Sequence, residues 1–262
     1  MKDVQQQRDY RNIPINKVGI KNLRYPILVL DRQNGSQATV AVINMYVDLP
    51  HQYKGTHMSR FVEMLNMFRD QICSLKTFST ILKEMKNHLN AASSQIEVTF
   101  PYFIEKKAPV SGVSGLMDYT CGFYGTSLED DSLDLISEVI VPISSVCPCS
   151  KAISDHGAHN QRGEVRLQTR FKRFFWIEDL IQLVEQSASC DVYSVLKRMD
   201  EKYVTERSFQ NPKFVEDIVR DIAQQLLIDD NITWFAVSVE NFESIHNHSA
   251  YAYISNNKKN LQ

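Results

Sequence analysis

The sequence predicts an α+β fold: antiparallel sheets with paired helices laid on one face. Three observations predict it. Apolar residues alternate in some stretches, as in half-buried strands. In others they recur at spacings of three and four, as on one face of a helix. The order strand–strand, helix–helix, strand–strand then runs along the chain twice.

The first twenty residues are polar and read as irregular. Residues 25–30 and 38–49 are β-branched and apolar and read as strands, with Asn34-Gly35 as a hairpin turn between them. Met58, Phe61, Val62, Leu65 and Phe68 form one helical stripe; Phe78, Ile81, Leu82, Met85 and Leu89 form a second. Ile96, Val98, Phe100 and Tyr102 alternate as a strand, and residues 117–124 read as another. In the second half, residues 133–143 and 165–171 read as strands. Ile177, Leu180, Ile181, Val184 and Ala188 make a helical stripe, and a shorter helix is expected over 192–198. Asn211-Pro212 has the composition of a helix start, a capping residue before proline. That helix would run through Phe214, Val215, Ile218, Val219, Ile222 and Leu226. Residues 233–239 and 248–254 close the chain as strands. No residue-level repeat accompanies the doubled order. The expected organisation is two tandem modules, 1–130 and 131–262, parted in the polar stretch 127–132; the simpler alternative is one α+β domain.

Bulk properties exclude several classes. A net charge of −2 with no long basic run gives no electrostatic footprint for nucleic acid. The opening MKDVQQQRDY has no apolar core region and does not read as a signal peptide. No stretch approaches the roughly 18 consecutive apolar residues of a membrane-spanning helix. Five cysteines, an odd number, point to reduced thiols and the cytoplasm.

The densest chemistry lies in residues 144–160. If the chain is extended there, Cys147 and Cys149 flank Pro148 and turn two sulfurs to one side. Such close cysteines make a poor disulfide. A thiolate with the imidazole of His159 ten residues on begins a zinc-like site. The competing reading is two small buried residues in a loop, with His156 and His159 on the surface. A second cluster, residues 240–248, holds Glu243, His246 and His248. The two histidines suit metal ligation or proton transfer near neutral pH, unless the segment is a plain polar hairpin. A third, residues 200–207 and 211–217, reads by default as a solvated connector. Glu201 is nonetheless a hard oxygen donor, and the carboxylate of Glu216 can accept two hydrogen bonds from a planar amidine edge such as that of guanine. A fourth, residues 55–61, reads as a helix cap beside the cation Arg60.

Seven strings carry a resemblance that spans nearly the whole chain: GTHMSRF at 55–61, APVSG at 108–112, CPCSK at 147–151, GAHNQR at 157–162, DEKYVTE at 200–206, NPKFVED at 211–217 and ESIHNHS at 243–249. Together they resemble the type IB GTP cyclohydrolase I family. The sequence departs from that family at Met199, where the family has proline, a change that bears on a turn more than on chemistry.

The resemblance implies tandem tunnelling-fold modules in a homotetramer, with active sites at subunit interfaces. It implies hydrolysis of GTP to 7,8-dihydroneopterin triphosphate and formate. It also implies a divalent cation, manganese or zinc, with ferrous iron a further candidate. Carried over, the metal ligands are Cys147, His159 and Glu201, with the choice between Cys147 and Cys149 open. Cys149, His246, His248 and Glu243 become catalytic groups, and Glu216 anchors guanine. Lys151, Arg60, Arg162 and Arg207 are plausible partners for the triphosphate, without assignment. Neither nucleic acid nor membrane is an expected partner. Two alternatives remain: a metal-independent thiolate enzyme of the same fold, like the nitrile reductases, and a non-catalytic purine- or pterin-binding protein.

Overall fold

Asn34-Gly35 turns the chain between its first two long strands, β1 (Ile15–Asp31) and β2 (Gly35–Leu49). Gly35 has φ of 78°, a left-handed conformation that glycine adopts without a steric penalty. Asp31 closes the turn by accepting the amides of Gln33 and Asn34, both at 2.8 Å. The computed structural model describes residue 5 and residues 7–258.

β1 starts ten residues earlier than the alternation suggested. Its first half is exposed or half-buried, and its pairing with β2 shifts register between Ile15 and Val18 and between Ile20 and Leu23. Asn22, at φ 58°, sits in the second irregularity and donates its amide to the Asn44 side chain at 2.8 Å. Bulges of this kind erase the period-two signal.

The remaining elements follow in order: α1 (Met58–Met67), a two-residue strand β3 (Ile72–Cys73), α2 (Leu75–Leu89), β4 (Ser94–Lys107), β5 (Ser114–Ser127) and β6 (Leu133–Val146). Then come α3 (Pro148–Ile153), β7 (Asn160–Phe171), α4 (Ile177–Ser187), α5 (Arg198–Gln210), α6 (Val215–Ile228), β8 (Ile232–Asn241) and β9 (Ala250–Asn257). The chain forms two compact units. One holds the described residues up to Pro101 together with Gly122–Ile136; the other holds Tyr102–Cys121 and the described residues from Ser137 on. The strands β4, β5 and β6 therefore contribute residues to both.

In the first unit the strands run in the order β3-β1-β2-β4, antiparallel except where β3 pairs with β1. The helical stripes bury Phe61, Met64 and Leu65 of α1 and Phe78, Ile81, Leu82 and Met85 of α2. Phe123 of β5 tilts against Phe78 and Phe100, with ring centroids 5.3 and 5.6 Å apart. Full burial of side chains of this size stabilises by about 1.5–3 kcal/mol each.

In the second unit the order is β6-β7-β8-β9, all antiparallel. Ile177, Leu180, Ile181 and Val184 of α4 and Val215, Ile218, Val219, Ile222 and Leu226 of α6 are buried. So are the alternating Val139, Val141 and Ile143 of β6, Val165 and Leu167 of β7, and Phe235, Val237 and Val239 of β8.

Two expected helices are displaced. Residues 192–197 are not helical; the helix is α5, which begins at Arg198, the last residue of the expected segment. Asn211 does not cap α6. It ends α5, and its side-chain amide donates to the carbonyls of Ala188 and Ser189 at 3.0 and 3.2 Å. The α6 turn is instead closed by Asp217, which accepts the Phe214 amide at 3.0 Å. His248 lies just before β9, not in it. Among the described residues no helix is long and apolar enough to cross a membrane.

Candidate functional site

The β6–β7 pairing carries the site. Val146 faces Asn160 in register, and one step further the Cys147 amide donates to the His159 carbonyl at 3.1 Å. Cys147 and His159 thus stand opposite each other where the two strands part. Between them lies α3. Cys147 is its N-cap, Pro148 takes the first helical position, and the Ser150 amide approaches the Cys147 sulfur at 3.5 Å. This overturns the extended reading of Cys147-Pro148-Cys149. Proline at the first helical turn starts a helix, so positions two apart no longer share a side. Cys149 is exposed and Cys147 half-buried.

Ser150 ties both sides of this mouth together. Its hydroxyl accepts the His159 amide at 3.2 Å and donates to the Cys147 carbonyl at 3.2 Å. The His159 ring is held at Nδ1, which lies 2.9 Å from Gln161 Oε1, 3.5 Å from Ser244 Oγ and 3.8 Å from Glu243 Oε2. Gln161 in turn donates Nε2 to Ser145 Oγ at 3.0 Å.

The end of β8 delivers the second cluster. Beyond the Gly163–Asn241 pair, the Phe242 amide donates to the Arg162 carbonyl at 2.9 Å, which brings Glu243 beside His159. Further along this loop His246 and His248 are exposed, with near-parallel rings whose centroids are 5.1 Å apart. Neither has a contact to His159 among those described.

The third cluster is structured, not a loose connector. Glu201 lies exposed in the first turn of α5, next to the fully buried Asp200. Glu216 lies exposed in the first turn of α6. The Lys213 amide donates to the Val146 carbonyl at 3.1 Å, so the segment entering α6 is anchored to the strand that presents Cys147. Lys151 Nζ donates to the Phe209 carbonyl and sits 4.4 Å from that ring's centroid. Arg60 belongs to the first unit, where it donates to the His88 carbonyl at 3.1 Å.

The structure therefore pairs the backbones of Cys147 and His159 and sets the Glu243 carboxylate 3.8 Å from the His159 ring, but does not gather Glu201 with them within one chain. Among the described residues no group of three His, Cys, Asp or Glu side chains converges as a metal cage. The donor chemistry still suits a divalent cation: a cysteine and a histidine face each other across the strand ends, and one nitrogen of the imidazole is tied to an amide oxygen. The other three thiols are Cys73, half-buried, and Cys121 and Cys190, buried. Burial pushes Cys73 up to about 12 and raises Cys121 and Cys190 as well, keeping them protonated.

Sequence reasoning missed Gln161, Ser150, Ser145 and Asp200. Gln161 could have been noticed as a polar residue at an inward position of an alternating strand. Nothing in the spacing marks the other three.

An antiparallel sheet with helices on one face, ending in a thiol–imidazole pair, defines a protein of the tunnelling-fold class. The uricase of Arthrobacter globiformis matches with a TM-score of 0.54 at 7% identity, covering 92% of this chain and 93% of that one. A uricase from Bacillus fastidious matches with a TM-score of 0.55 at 6% identity, covering 94% of each. At such identities the likeness shows the fold alone, the tandem tunnelling fold. The family model for the type I GTP cyclohydrolase FolE2 (GCHY-1) matches residues 1–252, and the chain belongs to that family. The chain is 71% identical to the GTP cyclohydrolase FolE2 of Desulfosudis oleivorans over 97% of its length and 98% of the relative's. It is 59% identical to that of Syntrophobacter fumaroxidans over 98% of this chain and all of the relative's, and 56% identical to that of Geobacter metallireducens over 99% and 98%.

Proposed function

We propose that this chain is a GTP cyclohydrolase that hydrolyses GTP at C8 and releases 7,8-dihydroneopterin triphosphate and formate. The observation that carries this reading is the pairing of Cys147 and His159 across the parting β6 and β7 strands in a chain of this family. His159 with Glu201 favours metal-assisted hydrolysis over covalent thiolate chemistry, which needs neither group.

Cys147, His159 and Glu201 would hold the cation, with Glu201 supplied across a subunit interface of a homotetramer. A divalent cation in such a site, manganese, zinc or ferrous iron, lowers the pKa of water and supplies hydroxide at neutral pH. The chain's own groups do the rest. Glu216 accepts hydrogen bonds from the N1–H and amino group of guanine and fixes the purine. Protonation of the purine at N7 or N9 by His246 or His248 makes C8 electrophilic. Glu243, with His246 and His248, positions water and handles protons, and Cys149 handles a proton beside the site. Two hydrolytic steps consume two waters and expel C8 as formate; closure of the pterin ring returns one water. Lys151, Arg60, Arg162 and Arg207 are the candidate cations for the triphosphate, with no one of them singled out.

Two tandem modules, 1–130 and 131–262, fit this assembly, with most site residues in the second. The free cysteines support a reducing compartment, the cytoplasm. The test is incubation of the metal-loaded protein with GTP, followed by assay of formate and of pterin fluorescence after oxidation. Formation of both in equal amounts supports the reading. Unchanged GTP with manganese, zinc and ferrous iron each supplied rejects it.

A further inference from the structure

We infer that Gln161 is a positioning residue: it holds His159 as the Nδ1–H tautomer and so turns the Nε2 lone pair toward the cation. The inference rests on the metal-site reading above and assigns a role to a side chain outside the ligand set.

Three acceptors face His159 Nδ1. Gln161 Oε1, at 2.9 Å, is at full hydrogen-bond distance. Ser244 Oγ, at 3.5 Å, is at the limit, and Glu243 Oε2, at 3.8 Å, is beyond it. The Gln161 amide is itself fixed. Its Nε2 donates to Ser145 Oγ at 3.0 Å, and Ser145 is its direct cross-strand partner in the β6–β7 register. Ser145 is fully buried and Gln161 is 8% exposed, so water does not compete for either group. With Nε2 committed to Ser145, the amide oxygen faces the ring, and the ring nitrogen facing it must carry the proton. An imidazole protonated at Nδ1 keeps its lone pair on Nε2, the form a metal binds. A ligating histidine that donates its other N–H to a fixed oxygen is both oriented and made more basic.

The experiment uses the full-length assembled protein, with zinc alone as the probe. Gln161→Met keeps the length of the side chain and removes the acceptor. Gln161→Glu keeps an acceptor, toward which the Ser145 hydroxyl can turn to donate. Long-range 1H–15N spectra of the metal-free protein read the His159 tautomer, and chelator competition reads zinc affinity. The wild type is expected to show Nδ1–H, and Gln161→Met a mixed tautomer with about 10–100-fold weaker zinc binding. Gln161→Glu is expected to hold the wild-type tautomer and zinc affinity to within about threefold. An Nε2–H tautomer in the wild type overturns the inference even if Gln161→Met fails to fold. Unchanged zinc affinity in a folded Gln161→Met protein also overturns it. Undiminished zinc binding by His159→Ala rejects instead the metal-site reading on which the inference stands.

Discussion

Asp200 grips Ser111 twice: it accepts the Ser111 amide at 2.8 Å and the Ser111 hydroxyl at 2.6 Å. It also accepts the amides of Val110 and Lys197, both at 2.8 Å. One carboxylate therefore closes the first turn of α5 and docks the 108–113 turn onto it. Glu201 is the next residue, so its place depends on this contact.

The first prediction concerns that carboxylate. Burial by itself would raise its pKa, but the Ser111 hydroxyl and the amides of Ser111, Lys197 and Val110 outweigh burial and hold it well below the usual carboxylate range. A depressed folded value means that the stabilisation is present above the unfolded value of about 4 and is lost as pH falls toward the folded value. Asp200→Asn should lower Tm at pH 7 and lower bound zinc. The Tm gap to wild type should narrow below about pH 4, where wild type loses the same contribution. A gap independent of pH would show that shape, not charge, is what Asp200 contributes.

The second prediction follows from Cys147 and His159 pairing across the strand ends while no cage of three ligands forms within one chain among the described residues. If a neighbouring subunit supplies Glu201, Cys147→Ala and Glu201→Ala chains are each inactive alone. Mixed before assembly in equal amounts, they should recover about a quarter of wild-type activity, because each site draws one group from each of two chains. No recovery would mean that one chain must supply both.

The contrast between these two regions explains what could be read in advance. The stripes of α1, α2, α4 and α6 announce themselves because apolar burial forms them. By contrast, α5 has no such stripe; its buried residues are Asp200 and Ser208, and hydrogen bonds hold it. It was therefore legible only as a charged connector. Cys147 and Cys149 were legible as chemistry but not as geometry, since proline after a cysteine suits an extended chain and a helix start equally well. His159 was found by residue type. Gln161, which orients it, has no distinguishing spacing and emerges only from the β6–β7 register.

The third prediction concerns Glu216. Replacing its carboxylate by an amide removes a charge-assisted acceptor and places a donor against the guanine N–H groups. Hydrogen bonds to charged groups contribute about 1.5–3 kcal/mol, so Glu216→Gln should lower kcat/KM for GTP by roughly 10–100-fold. Bound metal, measured by elemental analysis, should stay at the wild-type level. Unaltered GTP kinetics would remove Glu216 from the site.

The fourth prediction lies in the second unit, away from the chemistry. Lys106 contacts Glu185 at 2.7 Å and Asp191 at 2.9 Å, and Tyr119 donates to Glu185 at 2.7 Å. Burial raises the pKa of Glu185 despite the opposing effect of Lys106 and Tyr119. Here the folded value lies above the unfolded one, so stability from this group falls as pH rises from one to the other. Lys106→Met leaves the buried carboxylate without its cation, a loss of about 3–5 kcal/mol at neutral pH. The window of falling stability should also extend upward, making the variant relatively less damaged at pH 5 than at pH 8. Urea unfolding at the two pH values checks this; equal losses would show that the pair is not electrostatically coupled to folding.

The fifth prediction tests how the loop bearing Glu243, His246 and His248 is aimed. Gly163 of β7 faces Asn241 of β8, and a Cβ at Gly163 would lie 2.4 Å from Asn241 Oδ1 and 2.7 Å from the Glu240 carbonyl oxygen. Only a side chain of hydrogen lets the two strands close here, one step before Arg162 accepts the Phe242 amide. Gly163→Ala should therefore destabilise by about 1–3 kcal/mol through overpacking. It should also lower kcat, because the strand end that leads to the loop is pushed away. Asn241 Oδ1 is buried without a hydrogen-bond partner among the described residues, so Asn241→Ala alone should be mild. Added to Gly163→Ala it should restore only part of the stability, since it removes the 2.4 Å contact and leaves the backbone contact at 2.7 Å in place. Complete rescue would show that the Asn241 side chain alone sets the requirement for glycine. No rescue would show that the Glu240 backbone sets it.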